Sequence, residues 1–140
     1  MPTLGNKSKE KLATVHPDLK KVCEEAIKYY DFTVIYGQRT VAEQQELFKK
    51  GRVLRDGKWV KVGSTVTNLD GVNKKSMHNY SPSLAVDLAP YPIDWNNIQR
   101  FKELAVIVKQ SAKRLGIDII WGGDWKSFKD YPHFELKLKT

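Results

Sequence analysis

Lys75-Ser76-Met77-His78-Asn79-Tyr80-Ser81-Pro82-Ser83-Leu84-Ala85-Val86-Asp87-Leu88-Ala89-Pro90 is the stretch around which this chain is organised. In its second half Leu84, Val86 and Leu88 are apolar, and Ala85, Asp87 and Ala89 fall between them. That alternation predicts a strand that buries one face and displays a carboxylate among small residues on the other. Ser81-Pro82-Ser83 is a turn signal just ahead of the strand, and His78 stands on its far side. A turn that folds back brings the imidazole toward the carboxylate, although the two are nine positions apart. His and Asp are both good zinc ligands, and such a pair lacks only a third ligand to make an open, catalytic site.

The candidate third ligand lies near the C-terminus, in Asp130-Tyr131-Pro132-His133-Phe134-Glu135-Leu136-Lys137-Leu138. A strand here turns Phe134, Leu136 and Leu138 to the core and leaves His133, Glu135 and Lys137 on the opposite face. Asp130 precedes His133 by three residues, in a segment that Pro132 keeps extended. From there it can reach a metal-bound water without being a ligand.

Taken together, Ser76-x-His78, Ala85-x-Asp87 and Asp130-x-x-His133-x-Glu135, with Gln38-Arg39-Thr40 and Gln44 upstream, resemble the zinc peptidases that include the D-alanyl-D-alanine carboxypeptidases. Within that group the chain looks most like the phage endolysins that act as L-alanyl-D-glutamate endopeptidases. The resemblance runs from about the first helix to the last strand, and its specificity lies in the linked spacing. One departure is visible: the family's linker between His and Asp is usually two residues shorter, often with Gly where Ser81-Pro82-Ser83 stands.

The resemblance implies an α+β fold: a single domain over residues 1–140, with a small, mainly antiparallel sheet carrying a zinc site and packed against about three helices. It implies one zinc ion per chain on His78, Asp87 and His133, with the fourth position left to a water that the metal acidifies. Asp130 is then the general base that passes the proton to the leaving amine, and Arg39 stabilises the oxyanion. Glu135 is the rival for the base role; the offset before the final ligand favours Asp130 and leaves Glu135 to support His133. Ser76, Gln44 and Trp121 are the expected substrate contacts. For Ser76 the plainer alternative is local hydrogen bonding at a turn. Gln44, within about one helical turn of Arg39, reads as support for that junction in preference to a group that does chemistry.

Composition narrows the classes. A chain of 140 residues is long enough for one real core. The 41% hydrophobic and 11% aromatic fractions argue for a folded globule over disorder. No apolar run approaches membrane-spanning length, so no membrane insertion is expected. The first residues lack the apolar core of a signal peptide, which predicts synthesis in a host cytoplasm with no export route of its own. Acting in the periplasm or cell wall then requires a holin-type pore. Cys23 is the only cysteine, which excludes an intramolecular disulfide and a thiolate zinc cluster. The net charge of +8 favours a polyanionic partner, whether nucleic acid, anionic lipid or wall polymer.

Along the chain, Pro17 to Tyr30 predicts a helix, with Leu19, Val22, Cys23, Ala26, Ile27 and Tyr30 in one apolar stripe. Cys23 reads as a core residue and His16 as a surface or capping residue. Asp31 to Tyr36 is a strand ended by Gly37. Thr40 with Glu43 forms a capping box for a second helix, which Gly51 closes. Arg39 falls at that strand-to-helix junction; on its own it reads as a surface Arg in an ion pair. Arg52 to Val62 is a basic hairpin turning at Asp56-Gly57. It is either a polyanion-binding element or a surface ribbon with Trp59 tucked into the core. Gly63 to Lys75 reads as a loop leading to the site. Asp94 is expected to cap a long helix to Leu115, with Ile98, Phe101, Leu104, Ala105, Val108, Ala112 and Leu115 inward. Ile117 to Trp121 is a strand, followed by a turn whose Trp121 and Trp125 are lid, substrate wall or core.

The expected function is a phage-type endolysin: a zinc-dependent L-alanyl-D-glutamate endopeptidase that cuts peptidoglycan stem peptides. With no separate cell-wall-binding domain, it would be a monomer whose basic surface does the targeting, with peptidoglycan and not nucleic acid as its partner. The alternatives are a D-alanyl-D-alanine carboxypeptidase on the same fold, or a non-catalytic module that binds wall or nucleic acid.

Overall fold

The computed structural model describes residues 2–63, 77–80, 82–127 and 129–137. The expected loop beyond Gly63 and the candidate residue Ser76 lie outside them. Strands β1 (Phe32–Tyr36), β4 (Ala85–Pro90), β5 (Ile119–Trp121) and β6 (His133–Leu136) form one antiparallel sheet in the order β1-β4-β6-β5. A separate ribbon pairs β2 (Arg52–Arg55) with β3 (Lys58–Lys61). The helices are α1 (Asn6–Leu12), α2 (Pro17–Ala26), α3 (Val41–Lys49) and α4 (Ile98–Leu115). Among the described residues no helix is long and apolar enough to cross a membrane.

Register explains why the site sits where it does. Val86 opposes Phe134 and Asp87 opposes His133 across the β4–β6 pair. Residues directly opposite share a face, so the apolar pair points one way and the polar pair the other. Helices α2 and α4 pack on each other over the apolar face, where Leu19, Val22, Leu104 and Val108 join Val86, Leu88, Phe134 and Leu136 in one core. Cys23 belongs to the same core; burial first, and the nearby charge of Glu24 second, push its thiol up to about 12.

The α+β architecture is as expected, with four helices among the described residues where about three were anticipated. The unforeseen one is α1. Only Leu12 and the polar Ser8 are buried along it, so it shows no apolar period. Ser8 Oγ accepts the backbone N–H of Val34 at 3.0 Å, which occupies a donor on the edge strand β1. The expected helix from Pro17 to Tyr30 stops at Ala26 and continues as turns closed by Tyr29 and Tyr30 N–H on the Ala26 carbonyl. His16 is a cap: its Nδ1 accepts from Asp18 N–H.

The start of α4 corrects another expectation. Asp94 Oδ1 accepts from Asn96 N–H, in a local turn; Asn97 caps the helix through Arg100 N–H. Ile98 and Leu115, expected inward, are exposed at the helix ends. The capping box of Thr40 and Glu43 is present in full. The hairpin turns at Asp56 and Gly57, both with positive φ (51° and 75°), the backbone shape that favours Asp-Gly at such a turn.

Candidate metal centre

Strand β4 was expected to bury one face only, yet every residue from Ala85 to Pro90 is buried. The second face is covered because the 3-10 turn Met77–Asn79 and the loop after β1 fold over it. Ser83 stitches the intervening turn inward: its N–H donates to the Thr14 carbonyl and its hydroxyl to the Ala85 carbonyl at 2.6 Å. The chain therefore folds back as the sequence suggested. His78 Nε2 comes to 3.2 Å from Asp87 Oδ1.

The other nitrogen of His78 is engaged as well. Its Nδ1 donates to the Gly37 carbonyl at 2.8 Å, which turns Nε2 toward the cluster. Gly37 is needed there, because a Cβ at that position would collide with the Lys11 carbonyl and the Thr14 hydroxyl. His133 approaches from β6. Its Nδ1 is 3.4 Å from the same Asp87 oxygen, and its Nε2 is 2.7 Å from Glu135 Oε1.

Electrostatics follow from this clustering. Burial by itself raises the Asp87 carboxyl, but hydrogen bonds from His133 and His78, and their charges, win and hold it well below the usual carboxylate range. Burial by itself lowers His133, but hydrogen bonds to Asp87 and Glu135, with the charges of Asp87 and Asp130, raise it to about 9. Two carboxylates thus hold a proton on the ring when nothing else does.

These residues fit a divalent metal. His78, Asp87 and His133 each offer one ligand atom, and these atoms lie within 4.8 Å of one another. The mixed N/O set suits zinc, and the nitrogens not facing the cluster already bond Gly37 and Glu135, as supported histidine ligands do.

Arg39 closes one side. Its guanidinium stands 3.6 Å from Asp87 Oδ2, donates to Gln44 Oε1 at 2.8 Å and lies over the Tyr36 ring at 4.7 Å. It is buried, and its Nε–H has no hydrogen-bond partner among the described residues. A buried donor left open beside a carboxylate cluster is costly unless a ligand fills it. Gln44 is wholly buried, so it holds Arg39 in place. Asn79 fixes the same loop, donating from Nδ2 to the Arg39 carbonyl at 2.8 Å.

Asp130 is near enough to Asp87, His133, His78 and Arg39 to feel the charge of each. Its backbone N–H donates to the Gly122 carbonyl, and its carbonyl accepts from His133 N–H. A side chain at Gly122 would strike the Asp130 backbone, which explains a glycine beneath it. Burial, then the charge of Asp87, raises the Asp130 carboxyl; His133, His78 and Arg39 pull the other way. Trp121 is core: it stacks on Phe134 and donates from Nε1 to the Tyr131 carbonyl. The indole beside the cluster is Trp125, half-buried, with its ring 5.1 Å from that of His133. Sequence reading named Trp125 without choosing it, and missed Gly37, Asn79 and Ser83, whose contributions are backbone contacts that no motif signals.

Fold and site together define a class: a small α+β peptidase with a candidate single-metal centre on an antiparallel sheet. The comparisons agree. A model of the phage L-alanyl-D-glutamate peptidase family matches residues 2–139. The chain is 35% identical over 142 residues to the L-alanyl-D-glutamate peptidase of Escherichia phage T5, covering 97% of this chain and 90% of that one. It is 36% identical over 135 residues to the peptidoglycan L-alanyl-D-glutamate endopeptidase CwlK of Bacillus subtilis (strain 168), covering 87% and 73%. The crystal structure of the Serratia marcescens L-Ala D-Glu endopeptidase ChiX superposes with a TM-score of 0.70 at 32% identity, over 94% of this chain and 87% of that one. The chain belongs to the phage L-alanyl-D-glutamate peptidase family.

Proposed function

We propose that the protein is an endolysin-type, zinc-dependent endopeptidase that cuts the bond between L-alanine and D-glutamate in peptidoglycan stem peptides. The observation that carries this reading is the convergence of His78, Asp87 and His133 within 4.8 Å, in a chain of this family. Zinc held there would supply a Lewis acid and an acidified water.

The surrounding residues divide the remaining work. Asp130 takes a proton from the attacking water on its carboxylate and returns it to the amine that leaves. Burial and the charge of Asp87 raise its carboxyl, the direction that favours taking up that proton. Arg39 directs its open Nε–H and its charge at the scissile carbonyl, where negative charge develops. Glu135 orients His133, Gln44 and Asn79 hold the Arg39 loop, and Trp125 walls the cleft. Ser76 completes the substrate contacts in this reading. The chain acts as a single catalytic domain and a monomer, reaching the wall from the host cytoplasm through a holin-type pore.

Chelation tests the reading. Purified sacculi should lose turbidity with the protein, stop doing so after exhaustive chelation and resume when zinc is restored. Hydrolysis that survives chelation, or that persists in His78→Ala, would contradict it.

A further inference from the structure

The β2–β3 ribbon stands apart from the main sheet, and among the described residues its contacts with the body are at its base. Val62 and Gly63 N–H donate to the Gly51 carbonyl at 2.9 and 3.1 Å. The Arg52 guanidinium donates to the Phe48 carbonyl and covers the Phe48 ring, which Trp59 meets edge-on at 6.4 Å. From there the strands run out to the tip at Asp56 and Gly57.

Its register sets like charges against each other. Arg52 opposes Lys61 at the base, and Arg55 opposes Lys58 at the tip. Directly opposed like charges destabilise a ribbon. Among the described residues, Arg55, Lys58 and Lys61 form no ion pair that would offset this. Between the charged ends lie the apolar pairs Val53 with Val60, on the face of Arg55 and Lys58, and Leu54 with Trp59, on the face of Arg52 and Lys61. All four are more than a third exposed; Leu54 is 59% and the neighbouring Val62 54% exposed.

The charges alone suit any polyanion, but the apolar residues discriminate. A hydrated anionic polymer satisfies Lys58 and Arg55 and leaves Leu54, Val53, Val60 and Val62 in water. The headgroup region of an anionic bilayer satisfies both sets: lipid phosphates pair with the cations, and the aliphatic side chains leave water at the acyl boundary. Trp59 suits that depth as well, with an apolar body and one polar N–H. We propose that this ribbon is a peripheral docking arm for an anionic phospholipid surface, on which the protein lies without spanning it. No proposed metal ligand or catalytic group belongs to the ribbon, so the inference does not rest on the peptidase reading.

Flotation of the full chain with vesicles tests it. The protein should float with phosphatidylglycerol–phosphatidylethanolamine vesicles and not with phosphatidylcholine, and salt should release it. Removing three charges in R55Q/K58Q/K61Q should weaken vesicle binding by roughly a hundredfold, while hydrolysis of a short soluble stem peptide stays unchanged. Should that triple variant fail to fold, Lys58→Gln alone should weaken binding by about fivefold. L54S/V60S should lose vesicle binding yet keep its retention on lipid-free sacculi. Failure of the wild type to bind the anionic vesicles, or full vesicle binding by L54S/V60S, overturns the proposal. Loss of sacculus retention in the charge variants without any vesicle binding would assign the ribbon to the wall polymer instead.

Discussion

Glu135 Oε1 lies 2.7 Å from Nε2 of His133, while Nδ1 of the same ring faces Asp87 Oδ1 at 3.4 Å. Each nitrogen has its own carboxylate, so Glu135 sets the tautomer and tilt of a ring whose other nitrogen points into the cluster. Glu135→Ala should therefore weaken metal binding by about 10- to 100-fold without unfolding the chain. Competition against a chromophoric chelator reads this directly. Unchanged affinity would show that Glu135 does not support the centre.

Metal uptake should release protons. In the metal-free chain His133 is raised to about 9, so at pH 7 the ring is charged. A metal binds only the neutral ring, so binding at pH 7 expels about one proton from it. By the same linkage, affinity should climb as pH rises toward 9. Calorimetry in buffers of different ionisation heat measures the released proton. Heats independent of the buffer would contradict the coupling.

Asp130→Asn should keep its metal and lose turnover by about a hundred- to ten-thousand-fold, because an amide cannot accept the proton. Glu135→Gln provides the contrast. Were Asp130→Asn to stay active while Glu135→Gln, still metal-loaded, lost turnover, the roles assigned to the two carboxylates would be exchanged.

The Arg39–Gln44 bond should matter for catalysis without touching the metal. Gln44→Met leaves the Arg39 NH1 proton without its 2.8 Å acceptor in a buried site. A hydrogen bond to a charged group contributes about 1.5–3 kcal/mol, so thermal stability should fall measurably. The account predicts a lower kcat at full metal content, since Arg39 would no longer be held toward the carbonyl. A kcat equal to wild type would limit Gln44 to packing.

The legible parts of this structure were those whose signal is local. The strand signal of Leu84 to Ala89, the capping box of Thr40 and Glu43, and the Asp56-Gly57 turn each act within a few residues, and each element is where the sequence placed it, although β4 is buried on both faces and not on one. His133 and Glu135 share a face because strand period alone requires it. The harder parts depend on distant backbone. Nothing near His78 in sequence announces that Gly37 will hold its Nδ1, and nothing in Asn6–Leu12 carries an apolar period. Asn97 displaced Asp94 as the cap of α4 because Asp94 already closes a turn with Asn96. Trp121 and Trp125 are equivalent on composition; only the packing of β5 on β6 sends one to the core and leaves the other beside His133.

Mass spectrometry of the fragments released from purified peptidoglycan tests the central claim most directly. The account predicts stem peptides freed from the glycan with a new D-glutamate N-terminus, leaving L-alanine on the muramic acid, and no such products from Asp130→Asn. Stem peptides that remain attached and lose only a terminal D-alanine would contradict it, and would make the chain a carboxypeptidase on the same fold.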